Sequence, residues 1–289
     1  MADLKHLEFD NTYARLGEPF ARRVQPTPLR DPHPVAWNPD AAELLGIDAA
    51  EAEDGFWWKA FSGNEALPGA EPAAMLYAGH QFGAWVPQLG DGRAILLGEV
   101  RAPGGKWDLH LKGGGGTPFS RGFDERAVLR STIREYLCGE AMHGLGIPTT
   151  RGLCITGSRE PVRRETMETA ATLVRLAPSH VRFGTFQVFA SRGETEHLRT
   201  LAEYVIDHHF PHLTGEPDRV VRLLREVVER TARLVARWQS VGVAATVMRA
   251  PRQKAGRHCT AACRTLCFRP EPHSRRRKTF GRSCGICWG

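Results

Sequence analysis

The stretch WDLHLKGGGGTPFSRG, residues 107–122, sets a strictly alternating segment directly against four consecutive glycines. Successive side chains of a strand point to opposite faces, so Trp107, Leu109 and Leu111 share one side. Asp108, His110 and Lys112 share the other. A lysine beside a glycine run suggests a phosphate cradle, but a P-loop places its lysine after the glycines, not before them. The dinucleotide pattern G-x-G-x-x-G fails as well, because Pro118 stands where the third glycine would follow Gly113 and Gly115.

Upstream, RAILLGEV (93–100) reads as a second strand, joined to WDLHLK through RAPGGK, whose Pro-Gly-Gly is turn chemistry. A Gly-Asp-Gly corner at 90–92 precedes it. This is an antiparallel meander, not a βαβ unit. Downstream, a helix is expected from about Glu125 to His143, capped by Asp124 and ended by Gly144, Gly146 and Pro148. Val128, Glu135 and Met142 are seven apart and fall nearly on one line, so Glu135 shares an apolar stripe and points inward.

A lysine on a strand and an inward glutamate on the next helix follow the logic of protein kinases, where the glutamate holds the ammonium against phosphate oxygens. Lys112 and Glu135 fit that arrangement. Glycine corners at 90–92 and 113–116 bring backbone donors close to phosphates, and Arg93, Arg175 and Arg182 add guanidinium forks. The plainer alternative is turn glycines and surface arginines, and the pattern alone leaves both open.

The segment TLVRLAPSHVRFGTFQVF (172–189) reads as strand-like, followed by helices at about 194–209 and 217–241. The last helix carries Val220, Leu223, Leu224, Val227, Val228, Leu234, Val235 and Trp238 on an apolar face. Residues 1–75, rich in Pro and Gly, are expected to form a wrapped N-terminal segment with one or two short helices. On the nucleotide reading, residues 76–190 are expected to be the kinase-like nucleotide-binding lobe and 191–242 the start of a helical lobe. An antiparallel sheet followed by helices is the α+β class.

The totals divide sharply along the chain. Of 289 residues, 42% are hydrophobic and 25% charged, as in globular proteins. Residues 243–289 contain 11 of the 39 Lys and Arg but one acid, Glu271, so the formal net charge of +7 arises entirely there. Cys259, Cys263, Cys267, Cys284 and Cys287 lie in the same segment. With His258 and His273 they offer zinc ligands, but not as two close pairs across a loop. The basic run SRRRK (274–278) offers a nucleic-acid contact, although such runs are usually solvated, so nucleic acid is not the expected partner. The start has no apolar signal segment and no membrane-length apolar run occurs, so the expected setting is cytoplasmic.

Several long motifs resemble the selenoprotein O (YdiU-type) family of protein adenylyltransferases. They are FDNTYARLGEPF (9–20), VQPTPL (24–29), FSGNEALPG (61–69), YAGHQFGAWVPQLGDGRAILLGE (77–99), the segment from LHLKGGGG onward to RGL (109–153), and VRLAPSHVRFGTFQ (174–187). The resemblance runs from about residue 7 to Gly242. It implies a protein-kinase-like (pseudokinase) fold, with an N-lobe-type antiparallel sheet plus helices, that binds ATP in a flipped orientation. Such enzymes transfer AMP to Ser, Thr or Tyr hydroxyls of proteins and release pyrophosphate, using Mg²⁺ or Mn²⁺.

By the same resemblance, Gly90, Gly92 and Arg93 line the nucleotide, Lys112 contacts phosphate and pairs with Glu135, and Arg175 and Arg182 bind phosphates. Asp124 is a further nucleotide contact; Glu125 stands where the family usually has Gly, so a contact there depends on backbone. The family's catalytic Asp falls at Pro251 and its metal-binding Asn at Arg252, and no DYGPFG motif follows. Proline is no base and arginine ligates no Mg²⁺. The expectation is a reading-frame shift near residue 243, an aberrant Arg- and Cys-rich tail, a truncated C-terminal lobe with apolar helix faces left open, and no catalysis by this chain. A non-catalytic ATP-binding pseudoenzyme, or a zinc- or nucleic-acid-binding protein acting through the tail, are the alternatives.

Overall fold

The computed structural model of the chain describes residues 3–81, 84–120 and 125–242. In chain order its strands are β1 (Ala21–Arg23), β2 (His33–Trp37), β3 (Ala73–Met75), β4 (Gly79–Gln81), β5 (Ala84–Val86), β6 (Ala94–Ala102), β7 (Gly105–Lys112), β8 (Ala127–Val128), β9 (Arg151–Arg163) and β10 (Met167–Ala177). The α-helices are α1 (Thr12–Arg15), α2 (Pro39–Glu43), α3 (Phe56–Ala60), α4 (Leu129–Gly144), α5 (Phe183–Arg192), α6 (Thr195–His209) and α7 (Arg219–Ser240). The main sheet is antiparallel and runs β1-β3-β6-β7-β10-β9-β2, with β8 paired to β10. The α+β reading and its central meander stand.

Alternation along β7 divides the molecule in two. Trp107, Leu109 and Leu111 join Ile95, Leu97, Val174 and Leu176 in a core closed by Trp57 and Phe61 of the N-terminal segment. The opposite face presents Asp108, His110 and Lys112 toward α4 and the connection from β10 to α5, beside a second core of Met75, Leu96, Val188, Phe189, Val205 and Phe210. One strand therefore carries an apolar face that anchors it and a polar face that serves the site.

Three local expectations change. The N-terminal segment supplies strands as well as helices: β1 and β3 extend one edge of the sheet and β2 forms the other. These strands are three to five residues long, and β2 is largely exposed, so none shows a readable alternation. The helix expected from Glu125 begins at Leu129, because Ala127 and Val128 stay extended to pair with Ala171 and Ala170. Its N-cap is Val128 with no side-chain cap bond, and Asp124 lies outside the described residues.

In the segment read as strand-like to residue 189, β10 ends at Ala177 and α5 begins at Phe183. Gly184 and Val188, with Thr185 and Phe189, are buried at helical i,i+4 spacing. The Arg182 N–H donates to Thr185 Oγ1 and the Thr185 N–H to the Arg182 carbonyl, fixing the helix start. On α7, Leu223 and Trp238 are buried while Val220, Val221, Leu224 and Val228 are exposed. No helix among the described residues is long and apolar enough to cross a membrane.

Candidate nucleotide site

The polar face of β7 is where the predicted residues meet. Lys112 Nζ contacts Glu135 Oε2 of α4, and the other carboxylate oxygen takes Arg175 Nη1 of β10 at 3.0 Å. Arg175 Nη2 lies 2.6 Å from His110 Nδ1, because Arg175 and His110 are direct cross-strand partners. His110 Nε2 is 3.1 Å from Asp91 Oδ2, and Asp91 Oδ1 takes Arg182 Nη1 at 3.3 Å. Lys112, Glu135, Arg175, His110, Asp91 and Arg182 thus form one continuous chain of contacts drawn from β7, α4, β10, the glycine corner and the residue that precedes α5. Tyr77 supports its far end, with the Arg182 guanidinium 4.3 Å from the ring centre.

The glycine loops are welded to each other beside this chain. Thr117 Oγ1 donates to the Asp91 carbonyl at 2.6 Å, and Ser120 Oγ donates to the Gly92 carbonyl. Gly113 N–H donates to the Arg93 carbonyl at 2.8 Å. Gly113 has φ +89°, and a Cβ there would lie 2.4 Å from the Ala171 carbonyl, so only glycine passes this close to β10. Gly90, at φ +59°, is held against the Phe119 ring in the same way.

Among the other predicted residues, Arg93 is half-buried at the start of β6, and its charge bears on Lys112. Glu125 is exposed, with its carboxyl group beside Gly116 rather than in the chain of contacts. Pro251, Arg252 and the Cys- and Arg-rich tail lie outside the described residues, as does Asp124. No cluster of three or more His, Cys, Asp or Glu suited to a metal ion occurs among the described residues.

Sequence reasoning missed Asp91 and His110 as members of the site. In the sequence Asp91 stands out only as part of a turn and His110 only as the neighbour of Lys112 on a strand face. Their shared face was visible, but the β7–β10 register that sets His110 opposite Arg175 was not.

Burial and charge set the protonation states. Burial opposes the charge on Asp91, yet Arg182, His110 and Arg175 outweigh it and hold the carboxyl at about 2. Burial pushes the His110 imidazole down to about 4, against the pull of Asp91. Burial likewise lowers Lys112, opposed by Glu135; Glu135 is held low by Lys112 and Arg175 despite its own burial.

These directions predict acid sensitivity. His110 folds neutral, so below its ordinary value of 6.5 the unfolded chain takes up a proton that the folded chain refuses down to about 4. The contribution of His110 is full above pH 6.5 and falls toward pH 4, by about 3 kcal/mol. Burial shifts His180 and His209 the same way. Asp91 extends the loss as pH falls from 3.8 toward 2. Asp108, raised by burial and by the like charge of Glu99, works the opposite way over this window, so the check is urea denaturation of the wild type against His110→Leu between pH 7.5 and 4.5; an unchanged pH slope contradicts the prediction.

An antiparallel sheet whose strand lysine is held by a glutamate of the adjacent helix is the N-terminal lobe arrangement of a protein-kinase-like fold. The family profile described as Protein adenylyltransferase SelO matches residues 3–251, and the chain belongs to this family. It is 64% identical over 249 residues to Protein nucleotidyltransferase YdiU of Myxococcus xanthus, covering 86% of this chain and 51% of that protein. The proteins of the same name from Thioalkalivibrio sulfidiphilus and Thiobacillus denitrificans are 57% and 55% identical with the same coverage. The chain spans about half the length of the curated relatives it matches.

Proposed function

We propose that this chain is the nucleotide-binding part of a protein adenylyltransferase: it binds ATP on the polar face of β7 and does not itself transfer AMP. The observation that carries the reading is the convergence of Lys112, Arg175 and Arg182 on one acid-braced chain beside two glycine loops. The donor set fits a triphosphate. Arg175 is nearly buried, and its Nε has no hydrogen-bond partner among the described residues, a donor for which a phosphate oxygen is a natural acceptor.

In the family's reaction a protein hydroxyl oxygen bonds to the α-phosphorus, the bond from that phosphorus to the bridging oxygen breaks, and pyrophosphate leaves. Charge grows on the leaving group, and fixed cations placed before the reaction begins offset it without reorganising. Lys112, braced by Glu135, and the two arginines are suited to that task. The hydroxyl proton needs a base, and the position the family uses for it is Pro251. A metal ion would neutralise phosphate charge, but the corresponding ligand position is Arg252, a poor fit to a cation. The phosphate chemistry open to the described residues is therefore that of their own cationic groups.

The test uses the full chain. ATP should raise its melting temperature, Lys112→Met should remove most of that rise, and ATP labelled at the α-phosphate should leave no label on the chain or on an added protein. No thermal response in a folded sample overturns nucleotide binding. Label incorporation overturns the absence of transfer.

A further inference from the structure

We propose that His110 is a positioning residue, a neutral imidazole that orients Arg175 toward the nucleotide through its Nδ1 lone pair while Asp91 fixes its tautomer. The geometry dictates the hydrogens. Arginine only donates, so the 2.6 Å contact from Arg175 Nη2 requires an unprotonated Nδ1. The remaining hydrogen belongs on Nε2, where the Asp91 carboxylate accepts it at 3.1 Å. Asp91 also accepts from the Met75 N–H at 3.2 Å and from Arg182, so it is held while it holds the imidazole.

The ring has no freedom to turn. His110 is fully buried, and the His180 ring stacks on it at 4.2 Å with planes 14° apart. His180 is in turn fixed by Asp108, whose carboxylate accepts its backbone N–H at 2.6 Å and lies 3.2 Å from its Nδ1. The Arg175 guanidinium is thus clamped between Glu135 on one side and His110 on the other. One imidazole and one carboxylate set the spacing between Arg175 of β10 and Arg182 at the N-cap of α5. Neutral His110 braces Arg175 without a second buried carboxylate beside it, which would compete with phosphate for the same donors. The charged and titratable groups facing the ring are Asp91 from the glycine corner, Arg175 from β10, and Arg182 and His180 from the β10–α5 connection.

The proposal rests on the nucleotide reading above, and its test separates the two. An Asn amide oxygen lies near the position of Nδ1, whereas a Gln amide nitrogen lies near that of Nε2. In the full chain, His110→Leu is expected to weaken ATP binding about tenfold, the loss of one hydrogen bond to a charged group. His110→Asn should restore most of that loss and His110→Gln should not, with melting temperatures of the two amide variants alike. Equal ATP affinity of the Asn and Gln variants, in a wild-type chain that binds ATP, overturns the positioning role. Nitrogen-15 NMR of the ligand-free protein at pH 7 should show the His110 hydrogen on Nε2; a hydrogen on Nδ1 overturns the tautomer whether or not ATP binds. Absence of ATP binding by wild type overturns the nucleotide reading and, with it, the role assigned to Arg175.

Discussion

Glu135→Gln is expected to destabilise the chain by about 3 kcal/mol or more, because it strips one carboxylate from two neighbouring cations. Lys112 Nζ and Arg175 Nη1 each contact a different oxygen of Glu135. Side-chain exposures of 19%, 11% and 15% for Lys112, Arg175 and Glu135 leave little water to replace it. The converse change, Lys112→Met, leaves Glu135 still paired with Arg175 and removes a cation that burial already disfavours. Its cost to stability should be clearly smaller. Urea denaturation of both variants measures the asymmetry; equal losses would mean that the carboxylate is not shared. The ranking matters for function, since the variant that most damages phosphate binding is then not the one that most damages the fold.

Glu99→Leu is expected to be comparably severe, again about 3 kcal/mol, for a different reason. The Glu99 side chain is almost entirely buried and makes a 2.6 Å ion pair with Lys106. It also accepts from the Tyr13 N–H at 2.5 Å, Thr12 Oγ1 at 2.7 Å and the Tyr204 hydroxyl at 3.1 Å. A leucine leaves these donors facing an apolar side chain at the junction of α1, β6 and α6. One compensation works the other way. Asp108 lies directly across from Glu99, and burial together with that like charge raises its carboxyl well above the usual range. Glu99→Gln removes the repulsion while keeping an acceptor, so it should cost less than leucine. A Gln variant as unstable as the Leu variant would place the importance of Glu99 in its charge alone.

Both predictions depend on features of unequal legibility in the sequence. The alternation of residues 107–112 aims Lys112 at the face where the structure joins it to Glu135, although of the line Val128, Glu135 and Met142 only the last two lie on α4. Local periodicity is enough for that, because each residue needs only its own element to be aimed correctly. The partnership of His110 with Arg175 spans 65 residues and depends on how β7 and β10 register against each other. Two bulges interrupt the β9–β10 pairing beside it, and no local pattern encodes them. Glu99 was hidden for the same reason, since its partners come from residues 12, 13, 106 and 204. The short strands of the N-terminal segment were illegible because three residues cannot establish a period.

Those short strands govern the order in which the sheet can be completed. The path from β1 to β2 begins and ends with strands drawn from the first 37 residues, while everything between them comes from later in the chain. His33–Trp37 has no partner until Cys154 to Gly157 have been synthesised, more than a hundred residues afterwards. A pairing of such sequence separation closes slowly. During synthesis the early segment must wait unpaired beside the growing meander, and its arrival replaces β9 at the border with a short strand carrying Pro34, which has no backbone N–H to offer another chain.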